Sequence, residues 1–373
     1  MKKILFINSI LWPGGVEKTL LNIANQLSNN EYEVTILTIY EDQNYESYLH
    51  GNVIYRYIFK DLKLKGIAKK FYNKFQYELL MKGSFLINRY FIGKKYDTVI
   101  GFSEGFPTKI ASYTKSAKKI GWIHTDFKEF RWSYKHYKNS QYEWKAYNRL
   151  DEIVCVSISS QINFINTYNF EKKAKLIYNL LDEENIFKLS TQKITDINFD
   201  KNKKYICFIG RFAPIKRIDR LINAFYLLTK EVSDINLLLI GDGGEKEQII
   251  NQIKRLKLQE KVVLLGLKNN PYKYLSKSHI LVCSSDSECA PITICEALLL
   301  NVPVVTTNCP GAVEMIGSGK YGMISEKNDE SLYKALKEIL TNDNLLNNYR
   351  TEIKKRNSFI NSKKIIEELK SII

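Results

Sequence analysis

Histidine is scarce and dispersed in this chain: His50, His124, His136 and His279 are the only four in 373 residues. No cluster forms along the sequence, so a metal centre has little support. Cysteine is sparse as well. Cys155, Cys207, Cys283, Cys289, Cys295 and Cys309 contain no C-x-x-C pair and mostly interrupt apolar strands, the pattern of reduced core residues in a cytosolic chain. No segment approaches the roughly 20 apolar residues needed to span a bilayer. Met1-Lys2-Lys3, followed by Ile4-Leu5-Phe6-Ile7-Asn8, is too short for a signal peptide and reads as a first strand. There is no G-x-G-x-x-G, which leaves a dinucleotide reading weak, and no RNP-like, zinc-finger or helix-turn-helix signature to support nucleic-acid binding.

What is present is enough apolar sequence for two cores: 45% of residues are hydrophobic. The net charge of +16 is unevenly spread, because residues 51–150 hold 21 Lys plus Arg against 7 Asp plus Glu. Within that region Lys60, Lys63, Lys65, Lys69, Lys70, Lys74, Lys82, Arg89, Lys94 and Lys95 mingle with Phe71, Tyr72, Phe75, Tyr77, Leu79, Leu80, Phe85 and Phe91. This mixture suits an interfacial helix on an anionic membrane; an ordinary solvated face over a core gives the same pattern.

Apolar runs at 3–8, 34–40, 98–102, 120–124, 153–157 and 176–179 alternate with helical patterns such as 16–27, the rhythm of βα units around a parallel sheet. A second series follows at 205–210, 237–241, 262–266, 281–284 and 302–306, with helices expected at 218–228, 246–256 and 291–300. The polar stretch from Ser190 to Lys204 reads as a connection. The expectation is therefore an α/β chain of two doubly wound, Rossmann-like parallel-sheet domains, 1–190 and 191–354. A C-terminal helix at about 355–373 is expected to pack back on the first domain.

The densest chemistry lies at Ser287-Glu288-Cys289-Ala290-Pro291-Ile292-Thr293-Ile294-Cys295-Glu296, where two carboxylates straddle a strand-to-helix junction. Free backbone N–H groups around Ile292 and Thr293 would face an anion. Upstream, Gly210-Arg211 and Lys216 follow the first strand of the second series, where an Arg fork and a Lys point charge can clamp a diphosphate. Leu267 follows the Gly266 strand exit, where backbone can meet a base edge. In the first half, Trp12-Pro13-Gly14-Gly15 opens a helix and lets backbone approach a ligand closely. Glu104 and His124 end strands there. Glu104 can orient an acceptor hydroxyl or serve as a helix N-terminal carboxylate; His124 can bind a sugar hydroxyl or phosphate, or be a structural histidine.

These segments together resemble retaining glycosyltransferases of family 4, GT-B enzymes that include many bacterial polysaccharide transferases, over nearly the whole chain. The resemblance rests on Glu288 and Glu296 as an E-x7-E pair, Gly210, Arg211 and Lys216 before it, the Gly14-Gly15-Val16-Glu17 loop and Ile177-Tyr178-Asn179. It implies two domains facing across a cleft, the first on the acceptor side and the second binding a nucleotide sugar. Glu288 would meet donor-sugar hydroxyls and Glu296 the ribose, while Arg211 and Lys216 would neutralise the diphosphate; Gly14, Gly15 and Asn179 would line the substrate. No metal or other cofactor is implied, and no Asp-x-Asp is present. The expected activity is retaining transfer of a hexose, from a UDP-sugar, to a lipid-linked or growing glycan in surface polysaccharide or capsule synthesis, at the cytoplasmic face of the membrane. Where relatives commonly carry Gly-Phe, this chain has Cys289-Ala290, and a left-handed backbone there would be strained. A nucleotide-sugar epimerase or hydrolase, or a non-catalytic basic binding protein, remain the alternatives.

Overall fold

The computed structural model describes the whole chain except residues 12, 13, 29, 30, 43–48, 50, 51, 94, 116, 117, 130, 201 and 356–360. Trp12, Pro13, His50 and Lys94, named above, lie outside the described residues. The chain divides into two compact units, Met1–Leu180 with Asn361–Ile373, and Leu181–Ile360. The division falls ten residues before the expected 190. The helix Glu183–Ser190 packs on Tyr272–Leu275, and Asn270 and Ser276 donate to the Leu189 and Ser190 carbonyls, which ties it to the second unit.

In the first unit the strands are β1 (Lys2–Asn8), β2 (Tyr32–Tyr40), β3 (Ile54–Phe59), β4 (Thr98–Gly101), β5 (Lys118–Ile123), β6 (Glu152–Cys155) and β7 (Ala174–Leu176). They form one parallel sheet in the order β3-β2-β1-β4-β5-β6-β7. The helix Gly15–Leu27 buries Leu20, Ile23, Ala24 and Leu27, a one-faced spacing that matches its 3.6-residue period. The C-terminal helix Ser362–Ile372 belongs to this unit, where Lys370 pairs with Glu31 and Lys2 donates to the Ile373 carbonyl.

The second unit holds β8 (Lys204–Ile209), β9 (Ile235–Ile240), β10 (Val262–Gly266), β11 (Ile280–Cys283), β12 (Val304–Thr307) and β13 (Gly322–Ser325), parallel in the order β10-β9-β8-β11-β12-β13. Leu221, Phe225, Leu237, Leu239, Leu332 and Leu336 make up part of its core. Both sheets reverse their strand order beside the first strand, between β1 and β4 and between β8 and β11. In open parallel sheets ligands bind outside the carboxyl ends of strands at such a switch point.

Strands β3 and β13 were not expected. The first is a half-exposed edge strand with Arg56 and two tyrosines, and the second is four residues that start on Gly322; neither carries a clean apolar run.

Candidate active site

The loops leaving β8 and β11 flank the second unit's switch point, and they bring Lys216 and Glu288 together. The Lys216 ammonium lies 2.6 Å from Glu288 Oε1, which also accepts from Ser285 Oγ at 2.6 Å and faces Cys283 Sγ at 3.6 Å. Burial pulls the Lys216 pKa down, but the Glu288 charge more than reverses this, and the net shift is upward. Lys216 therefore stays a cation. The neighbouring Arg211 is exposed, acts on Lys216 as a like charge, and forms no ion pair among the described residues.

The loop geometry comes from a second layer of contacts. Pro214–Lys216 form one 3-10 turn, and Arg217 adopts φ 48°, which reverses the chain into the helix Ile218–Leu228. Ser284 Oγ donates to the Lys216 carbonyl at 2.9 Å, and the Asp286 N–H donates to the Ile215 carbonyl at 2.9 Å. Arg220, almost fully buried, donates to the Ser284 carbonyl at 2.8 Å and to Asp286 at 2.6 Å, and Arg217 also binds Asp286. Burial pushes the Asp286 carboxyl up; the two guanidiniums outweigh it and hold it below its ordinary value. The Lys216 loop and the Glu288 loop are thus stapled to each other.

Glu296 lies on the helix Ile292–Leu299 and is buried, accepting a 3.0 Å hydrogen bond from the Tyr272 hydroxyl. Pro291 is the residue before the helix, not its first turn. Ile292 and Thr293 then begin the helix, where N–H groups have no carbonyl four residues back to bind. Cys289 is buried, and its backbone lies outside the left-handed region, so the strain considered for this position is absent. The loop is instead fixed by Gly311, since a Cβ there would sit 1.7 Å from the Cys289 carbonyl oxygen and 2.8 Å from that of Glu288. Ala290 is half-buried beside it.

A similar close approach shapes the β8 exit. Gly241, at φ 148°, would place a Cβ 1.9 Å from the Gly210 carbonyl oxygen, so the β9 exit lies flat against Gly210. Asp242 accepts from the Gly243 N–H and pairs with Lys246; the residue before the helix Lys246–Arg255 is Glu245, so Asp242 is not its cap. Leu267 is 53% exposed, after Gly266 at φ 67°.

In the first unit, Gly14 is extended (φ −132°, ψ 174°) and the helix begins at Gly15, with no side chain available to cap it. Ser103 Oγ donates to Asn8 Oδ1 at 2.8 Å and so ties β1 to β4 at that switch point. Glu104 is buried and does not cap a helix: its Oε1 accepts from the His124 and Thr125 N–H groups and the Thr125 hydroxyl at 2.7 to 2.8 Å. It holds the β5 exit in place. Burial raises its pKa, opposed by these hydrogen bonds. The His124 ring packs against Phe102 and Trp122, and burial pulls its pKa down to about 3 against a hydrogen bond with the Phe102 backbone. It is a neutral imidazole, and its buried Nε2 has no hydrogen-bond partner among the described residues. Asn179 is half-buried after β7, where Asn22 of the first helix donates to the next carbonyl, that of Leu180.

Sequence reasoning missed Ser285, Tyr272, Asp286, Arg220 and Gly311. Only Gly311 carried a local signal, in Cys309-Pro310-Gly311, and that signal reads as a turn. Among the described residues, no group of three or more His, Cys, Asp or Glu is placed to hold a metal ion.

Comparison with known proteins agrees with this layout. Residues 13–185 match the family model described as Glycosyltransferase Family 4, and residues 190–356 match the model described as Glycosyl transferases group 1. An N-acetylgalactosamine-N,N'-diacetylbacillosaminyl-diphospho-undecaprenol 4-alpha-N-acetylgalactosaminyltransferase of Campylobacter jejuni is 33% identical over 199 residues, 53% of this chain and 52% of that protein. The chain thus spans about half the length of the first curated relatives it matches. An uncharacterized glycosyltransferase of Haemophilus influenzae is 24% identical over the whole of both chains. The crystal structure of Anabaena Alr3699/HepE in complex with UDP superposes with a TM-score of 0.73 at 20% identity, covering both chains fully. Two parallel doubly wound sheets, a paired Lys216 and Glu288 at the second switch point and two contiguous family matches lead to one assignment: the chain belongs to the group 1, family 4 glycosyltransferases of GT-B fold, related to those of bacterial polysaccharide synthesis.

Proposed function

We propose that this chain transfers a hexose, with retention of configuration, from a UDP-sugar to a lipid-linked or growing glycan. The observation that carries the reading is the Lys216–Glu288 pair at the switch point, with buried Glu296 on the helix Ile292–Leu299 that follows the Glu288 loop. Glu288 spends Oε1 on Lys216 and Ser285, and its other oxygen is assigned to a donor-sugar hydroxyl. Glu296 takes the ribose hydroxyls, its carboxylate oriented by Tyr272. Gly210 and Leu267 offer backbone to the nucleotide, and the Cys289 to Thr293 segment offers N–H groups to phosphate.

Arg211 and Lys216 act on the leaving diphosphate. Negative charge grows there as the glycosidic bond breaks, so fixed cations stabilise the transition state more than the ground state. In a front-face transfer the leaving phosphate oxygen takes the acceptor proton. In the first unit, Gly14, Gly15 and Asn179 bind substrate, and neutral His124 accepts a hydrogen bond from a sugar hydroxyl. Glu104 positions His124 through Oε1, and its other oxygen orients an acceptor hydroxyl. Support for the substrate classes comes from relatives: the Campylobacter enzyme's name gives a diphospho-undecaprenol acceptor, and the Anabaena protein was solved with UDP.

The test is a panel of nucleotide sugars with lipid-linked acceptors, following nucleotide release and the anomeric configuration of the product. Retained configuration with a UDP-sugar, unchanged by a chelator, supports the reading. Stoichiometric free sugar or an epimerised donor without acceptor would replace it with hydrolysis or epimerisation.

A further inference from the structure

Helix Gly66–Lys82 breaks the rule that an amphipathic helix turns its apolar side inward. Only Gln76 and Leu80 are buried along it. Ile67, Phe71 and Phe75 recur every four residues and so share one face; they are 74%, 70% and 59% exposed. At 100° per residue this face lies opposite buried Leu80. Lys70 and Lys74 border the stripe, and Lys60, Lys63, Lys65 and Lys69 are exposed around the helix start. The helix carries one acidic residue, Glu78, which is paired with Lys82 at 2.7 Å. Further along, Phe85, Leu86 and Tyr90 are exposed as well.

The helix is anchored at one end. Buried Lys109 donates to the Leu80 and Met81 carbonyls at 3.3 and 2.6 Å, holding the last turn to the first unit while the earlier turns carry the exposed stripe. An apolar stripe rimmed by lysines matches an interface of acyl chains beneath anionic headgroups, where aromatic rings insert at headgroup level and each lysine adds attraction.

We propose that Gly66–Lys82 docks this protein on an anionic lipid bilayer, with Ile67, Phe71 and Phe75 inserted and the surrounding lysines on the headgroups. The docking stands apart from the glycosyl-transfer reading, since no residue of the helix belongs to the Lys216–Glu288 site. No helix among the described residues is long and apolar enough to cross a membrane, so attachment of this kind is peripheral.

Flotation of the full chain with phosphatidylglycerol–phosphatidylcholine vesicles, against pure phosphatidylcholine, tests it. Binding is expected only to the anionic vesicles and is expected to weaken with salt. Joint substitution Phe71→Ser and Phe75→Ser should lower the partition coefficient about tenfold. Joint Lys69→Gln, Lys70→Gln and Lys74→Gln should lower it about a hundredfold at low salt. Circular dichroism confirms folding of each variant, and both should bind UDP as the parent does. The proposal is overturned by absence of flotation, or by folded variants that float like the parent. It is also overturned if sedimentation shows a dimer that Phe71→Ser and Phe75→Ser dissociates, or if the lysines bind nucleic acid and not vesicles.

Discussion

The Tyr272 hydroxyl donates to Glu296 Oε1 across 3.0 Å, with both side chains buried. A carboxylate in that setting keeps a fixed orientation because a hydrogen bond to a charged group is stronger than a neutral one. Burial and the Glu296 charge both push the Tyr272 pKa upward, so the phenol remains a donor at any working pH.

Tyr272→Phe keeps the ring and removes the donor. Leaving a buried acceptor one hydrogen bond short costs about 1–3 kcal/mol. The expected outcome is nucleotide binding weakened about tenfold, measured by calorimetry, with turnover at saturating donor changed less. Unchanged affinity would separate Tyr272 from the Glu296 site.

Lys216→Met removes the cation that faces Glu288 while keeping the stem. Loss of one fixed charge-stabilising group typically lowers kcat by about a hundredfold to a thousandfold. Ser285→Ala, which removes only a second donor to the same oxygen, should be milder. Steady-state kinetics of both variants check the order; equal effects would mean the charge is not what matters.

Gly311→Ala places a Cβ where the Cys289 carbonyl stands, and neither backbone can yield cheaply. The expected outcome is lower thermal stability and loss of donor binding together. Cys289→Gly, in contrast, should change turnover little, because the backbone at Cys289 does not need glycine's freedom. A large gain in activity from Cys289→Gly would contradict this.

Acid should destabilise the fold before the carboxylates titrate. Burial pulls His124 from 6.5 to about 3 and His279 from 6.5 to about 4, and His279 Nδ1 accepts from the Tyr205 N–H. Between these values and 6.5 the unfolded chain takes up protons that the folded chain refuses, so stability is full above pH 6.5 and declines as pH falls below it. Urea denaturation from pH 7.5 to 4.5 measures the slope, and His279→Gln should flatten it. A stability independent of pH over that range would show that these rings are not buried neutral.

Much of this architecture was legible in the chain. Runs such as Leu237–Ile240 and Ile280–Cys283 are buried on both faces and therefore read as continuous apolar strands. The Lys216 and Glu288 loops were legible because each follows such a run at a short, fixed distance. Their direct contact was not, since it depends on Asp286, Arg217 and Arg220 stapling segments 69 and 66 positions apart in sequence. Tyr272 was hidden for the same reason, in a short helix with no pattern of its own. Glu104 shows the opposite failure: a strand-end carboxylate before Phe106-Pro107 suggests a helix terminus, yet it turns to the β5 exit.

Calorimetric titration of UDP into the wild type, Glu296→Ala and Lys216→Met measures whether the Lys216 loop and the Glu296 helix form one nucleotide site. One saturable site is expected in the wild type, with affinity lowered at least about tenfold in both variants and folded protein throughout. Wild-type affinity in either folded variant, or no UDP binding in the wild type, would contradict it.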